Sequence, residues 1–284
     1  MMPAARQPTV DPNALNDALQ AAASRFGRLS DEQVRAMRHK RRTATAAVAS
    51  ASAAAVLALV GGPWLTSTPA VPAGWSREVA TKAGQQGTLT LADGSTVRLN
   101  GATRVQVSYR GDRRTARLLQ GQAFFDVRHD KARPFTVYAG AGQARVLGTA
   151  FDVDLTRRQV ALAVYRGAVG FEPVGKAPGT VVRAGYRSAI TGGVASAPAR
   201  FDAALPDWRQ GWIDTAGMRL DDLVEALDRQ GNVRIARPAE PLASVRVLGR
   251  FRTDNPRQLL GAIGEGFGFT VREQDGRLSL EAAK

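Results

Sequence analysis

The chain has 284 residues, no cysteine, two histidines and a formal net charge of +14. Without cysteine there is no disulfide framework and no thiol chemistry, and His39 and His129 leave almost no room for a histidine metal site or a Ser-His-Asp triad. The charge is uneven: residues 1–42 carry 8 basic and 4 acidic side chains, residues 77–206 carry 19 and 9, and residues 207–284 carry 12 and 12. The basic part has no basic helix and scatters its arginines along strand-like runs. That argues against nucleic-acid binding and for a solvated face, or attraction to anionic lipid or an acidic partner.

In chain order, residues 1–42 offer two short helices, Asn13 to Ala23 and Ser30 to Lys40, the second opened by a capping box. Each is too short to be stable alone. Thr43 to Ser76 then runs for 34 residues without Asp, Glu, Lys or Arg, directly after Arg38-His39-Lys40-Arg41-Arg42. Its first part predicts a transmembrane helix over 43–65, long enough for a bilayer core of about 30 Å. Six basic residues at 35–42, counting His39, place the N-terminus in the cytoplasm and residues 66 onward outside. Arg41-Arg42 also fits a twin-arginine signal, and Val71-Pro72-Ala73 a cleavage site, although the length of the leader favours a retained anchor. Residues 66–86 read as a linker.

From Thr88 the period becomes two. Thr88-Leu-Thr-Leu and Thr96-Val-Arg-Leu flank a hairpin turn at Ala92-Asp93-Gly94-Ser95. Runs at 104–109, 114–119, 123–127, 135–138, 144–147, 151–155, 159–165 and 168–171 follow, with turns expected at Gly111-Asp112 and Gly121. This predicts an all-β domain over 87–190, a sandwich or a strand-coiled solenoid. A second linker is expected over 191–206. Residues 207–284 read as a β-α-β-β-α-β-β module, with helices over 219–230 and from Asn255-Pro256 to Gly266, a strand at Val245–Phe251 and a final hairpin about Asp275-Gly276.

The series Leu91-Ala-Asp-Gly-Ser-Thr-Val-Arg-Leu-Asn100, Arg117-Leu-Leu-Gln-Gly-Gln-Ala-Phe-Phe-Asp-Val127, Arg133-Pro-Phe-Thr-Val137 and Val146-Leu-Gly-Thr-Ala-Phe-Asp-Val153 resembles the FecR family, inner-membrane sensors and anti-sigma regulators. The terminal module resembles the secretin/TonB short N-terminal-like (STN-like) subdomain. The resemblance implies a circuit. The signalling domain of a TonB-dependent outer-membrane receptor contacts the periplasmic C-terminal region, and the cytoplasmic tail acts on an extracytoplasmic-function (ECF) sigma factor. The tail here is shorter than the family's usual one and has no Trp.

Candidate sites follow. Some family members resemble self-processing proteins that break a Gly-Thr bond, which here is Gly148-Thr149; the Thr149 hydroxyl would attack the Gly148 carbonyl. A Thr following a turn Gly is the plain alternative. Strand edges around Val245, Val247, Phe251, Phe269 and Leu278 are the expected partner contacts, through main-chain pairing. Asp152 and Asp154 read as a solvated row, and His129 as an exposed loop residue. No cofactor, no metal site and no external reaction is expected. A membrane-anchored scaffold that binds envelope polymers, without a sigma factor, is the alternative reading.

Overall fold

Successive side chains of a strand point to opposite faces, so an alternating sequence buries one face and wets the other. In the computed structural model, which describes residues 74–282 apart from Lys176 and Asn232, this alternation builds a 14-stranded sheet. The strands are β1 Trp75–Ala80, β2 Gly87–Thr90, β3 Thr96–Leu99, β4 Arg104–Arg110, β5 Arg113–Asp126, β6 Phe135–Ala139, β7 Gly142–Val146, β8 Ala150–Leu155, β9 Gln159–Arg166, β10 Ala168–Pro173, β11 Thr180–Arg183, β12 Tyr186–Thr191, β13 Val194–Ala195 and β14 Ala199–Arg200. The expected tail helices and transmembrane helix lie outside the described residues. Among the described residues no helix is long and apolar enough to cross a membrane.

Strand β5 organises the sheet. Its first half pairs with β4 and, in parallel, with β6; its second half pairs with β3 and β8. The change falls at Gly121, whose φ is +84° and whose missing Cβ would lie 2.4 Å from the Thr103 hydroxyl. Only glycine meets both demands. The expected turn at Gly121 is therefore corrected to a bend inside one continuous strand. Two ladders diverge from it, β1-β4-β5-β6-β7-β10-β11 and β2-β3-β5-β8-β9-β12. They close over one core in which Phe125, Phe135, Phe151 and Phe171 are buried, and β10 and β11 return against β9 and β12. Every pairing in this sheet but β5 with β6 is antiparallel, so the sheet folds on itself like a sandwich rather than stacking as a solenoid. Both expected linkers contribute strands: β1 pairs with β4 along its whole length, and β13 and β14 pair with β12.

One charge sits inside this core end. Arg114 is 2% exposed and bonds Asp93 Oδ2 at 2.8 Å, the Arg133 carbonyl at 2.7 Å and the Arg128 carbonyl at 3.3 Å. Burial alone would raise the Asp93 carboxyl; the Ser95 N–H and the Arg114 guanidinium outweigh it and hold it below its usual range. The arginine thereby fastens the 128–133 loop and the β2–β3 turn to β5.

The terminal module comprises a 3-10 turn Trp208–Gln210, β15 Trp212–Asp214, β16 Met218–Arg219, α1 Leu220–Gln230, β17 Arg234–Ile235, β18 Arg246–Val247, β19 Arg250–Arg252, α2 Pro256–Phe267, β20 Phe269–Gln274 and β21 Arg277–Ala282. Leu220, Leu223, Leu227, Leu260, Phe269 and Leu278 form its separate core. Asn255 caps α2 by accepting from the Gln258 N–H at 3.1 Å, ahead of Pro256 in the first turn. The single strand expected at Val245–Phe251 is corrected to two. Gly249 adopts φ +153° after Leu248, so β18 pairs with β16 and β19 with β15 in separate ladders.

Candidate functional site: the seam between sheet and terminal module

All described residues fall in one compact unit, Thr68–Lys284, and its β domain and its module are joined by hydrogen bonds and ion pairs. On the outward face of β5 and β8, Phe124 stands opposite Asp152. Trp208 lies over them, and its indole N–H donates to Asp152 Oδ1 at 2.7 Å. Gln122 donates to Asp152 Oδ2 at 2.8 Å and accepts from Asn100 at 2.9 Å. Asp152 is 7% exposed, and burial pushes its carboxyl up to about 7 against these donors. Asp207 accepts from the Arg209 N–H and from the Tyr165 hydroxyl at 2.7 Å, while the Arg209 guanidinium lies 3.8 Å from the Phe124 ring centre. Residues 207–210 are thus clamped onto the sheet.

Helix α1 makes the second attachment. Arg229 bonds both oxygens of Asp154, at 2.7 and 3.1 Å, and its carbonyl accepts from the Gly84 N–H at 2.9 Å. A Cβ on Gly101 would stand 1.9 Å from that carbonyl, so the helix end docks only because Gly101 has no side chain. Arg158 reaches Asp221 at 2.9 Å, and Arg157 reaches Glu225 at 3.2 Å. Desolvation would raise Asp221, but Arg237, Arg219 and Arg158 together hold it down to about 2. The reading of Asp152 and Asp154 as a solvated row is therefore overturned: both are seam residues, covered by Trp208 and Arg229. A cleft of about 930 Å³ opens beside the seam. Among the described residues no group of His, Asp and Glu could hold a metal.

The residues singled out from sequence are scattered. Thr149 is buried, just ahead of β8, and its hydroxyl donates to the Ala168 carbonyl at 3.1 Å. Gly148 is crowded, because a Cβ there would come within 2.5 Å of His129 Cα; His129 itself is exposed, in a loop. Val247, Phe269 and Leu278 are core residues, 1%, 3% and 0% exposed, while Val245 and Phe251 are partly buried against the same core. Their side chains hold the module together, and only main chain is left to offer a partner. Strand β20 supplies it, as an outer strand of the three-stranded β17-β21-β20 sheet. Trp208, Arg229 and Gly101 were missed; the signals available were Trp208 at the very start of the module and Arg229 in the last turn of its first helix.

Residues 77–170 match the family described as FecR protein. Residues 77–170 are a FecR-family segment. Two crystal structures of a candidate anti-sigma factor from Parabacteroides distasonis ATCC 8503 share this fold, each with TM-score 0.67 and 22% identity. They are matched over their whole length, against 73% and 74% of this chain, so the likeness extends beyond the FecR segment. No curated protein matches the chain.

Proposed function

We propose that this FecR-family chain is an anti-sigma-type signal-transducing regulator of the bacterial inner membrane. Residues 43–65 anchor it, the STN-like module at 207–284 meets the signalling domain of a TonB-dependent outer-membrane receptor, and residues 1–42 act on an ECF sigma factor. The observation that carries this reading is the seam. A FecR domain with a separate sensor module could relay nothing if the module swung freely, and here Asp152–Trp208 and Asp154–Arg229 fix it to the sheet. The fold shared with the Parabacteroides proteins supports the anti-sigma role.

Affinity capture with the full-length chain tests it. A sigma factor is expected on the cytoplasmic side and a receptor signalling domain on the other. Recovery of envelope polymer with neither protein would favour the scaffold reading instead. A reporter active only outside the cytoplasm is expected to work when fused after Trp75 and to fail when fused after Arg35. The chain catalyses no external reaction in this reading. Thr149→Ala decides whether the Gly148–Thr149 bond is self-processed: processing gives two fragments in the wild type and one chain in the variant, whereas packing alone gives one chain in both.

A further inference from the structure

The two ends of the β domain differ in charge. One end, around Gly84, Gly101 and Gly121, meets the charge-balanced terminal module. The other is where the chain enters β1. There Trp75, partly buried, packs its indole 5.3 Å from the ring of Tyr109. The hairpin that follows sets Arg110 directly opposite Arg113, both exposed and, among the described residues, neither in an ion pair. Like charges facing each other across strands destabilise a hairpin unless something else engages them.

The same end gathers more cations. Arg114 holds the 128–133 loop against β5, and that loop presents Arg128 and Lys131, exposed and without a carboxylate partner among the described residues. The Asp130 N–H donates to the Leu147 carbonyl, bringing up Leu147, which is 42% exposed. Thr149 bonds Ala168, and Ala168 stands opposite Arg183, again exposed and, among the described residues, without an ion-pair partner. Asp126 and Asp130 are already neutralised by Arg166 and Arg133, which leaves Asp112, in the hairpin turn, as the acid at this end without an ion-pair partner among the described residues.

We propose that this end is a docking surface for the anionic phospholipid face of the membrane that anchors the chain. The inference rests on the anchored reading above. Nine residues, Thr66 to Gly74, separate Leu65 from β1, a reach of at most roughly 30 Å, so the patch stays tethered close to the bilayer surface. Its cations spread over a hairpin turn, a loop and strand ends rather than lining a groove, which suits a broad anionic plane better than a shaped acidic peptide. Trp75 and Leu147 supply the amphipathic and apolar contacts that interfaces favour. So held, the β domain would direct its seam and module away from the membrane, toward an incoming receptor domain.

The chain has no cysteine, so a single introduced one can be labelled cleanly. The full-length protein would carry a fluorophore at Ala132→Cys in the basic loop, or at Ala141→Cys in the β6–β7 turn at the opposite end; both positions are exposed. It would be reconstituted into neutral phosphatidylcholine vesicles, or vesicles with about 30% phosphatidylglycerol, bearing a lipid-attached quencher. The expected result is quenching of the Ala132→Cys label several-fold greater in anionic vesicles. It should be lost in about 1 M salt, where the screening length is about 3 Å, and in the Arg110→Glu/Arg113→Glu variant, with the Ala141→Cys label unmoved. Equal quenching in both lipids, or quenching indifferent to salt and charge reversal, would overturn the proposal. Flotation separates the two readings. A chain that floats with anionic vesicles alone keeps the surface and loses the anchor. One that floats with neutral vesicles, without the lipid-dependent quenching, keeps the anchor and loses the surface. One that floats with neither loses both.

Discussion

Asp152 is a carboxyl kept under an indole. Burial pushes it up to about 7, far above its ordinary 3.8, so between those values the folded chain holds a proton that the unfolded chain has released. Stability from this residue is therefore greatest at low pH, falls as pH rises from about 4 to 7, and levels off above. Asp152→Asn keeps an acceptor for Trp208 and is expected to flatten that slope; a denaturation series from pH 5 to 8 reads it, and an unchanged slope would refute the assignment. Asp221 has the opposite sign: held near 2 by three arginines, it contributes above pH 4 and is lost in acid. Arg114 is the other charge whose surroundings decide its worth. Arg114→Met strands Asp93 in the core and is expected to cost about 3–5 kcal/mol in chemical denaturation, against less than about 1 for Arg117→Met on the wet face of the same strand.

At the level of elements, β5 and α1 carry the design. Gly101→Val places side-chain carbon where the Arg229 carbonyl sits, and is expected to cost at least about 2 kcal/mol of docking and to split one thermal transition into two. A single transition at the wild-type temperature would contradict it. Val247→Pro is a poor probe of any interface, because Val247 is 1% exposed and the change would unfold the module first. The same elements show what the sequence could reveal. Helices α1 and α2 were legible because leucines recur at three and four residues and Asn255-Pro256 marks a start. The β2–β3 hairpin was legible from Asp93-Gly94. β1 was not, since only Trp75 and Val79 along it face the core. The bend at Gly121 looked like a turn because glycine punctuates both. Asp152 and Asp154 looked solvated because their covers, Trp208 and Arg229, lie 56 and 75 residues away.

Across the whole molecule, charge and attachment are arranged along one direction: a basic end where the chain enters, a shared apolar core, then a polar seam and a neutral module. In the proposed reading, such a body would transmit displacement of its module to β1 only while the seam is closed. Receptor engagement at the outer β20 edge would then be felt at β1, the strand that follows the proposed anchor. A sigma-dependent transcription reporter, read with and without receptor ligand in cells carrying the Gly101→Val chain, tests this most directly. The account predicts that the variant still captures the receptor's signalling domain while the reporter no longer responds to ligand. A full ligand response through an undocked module would contradict it.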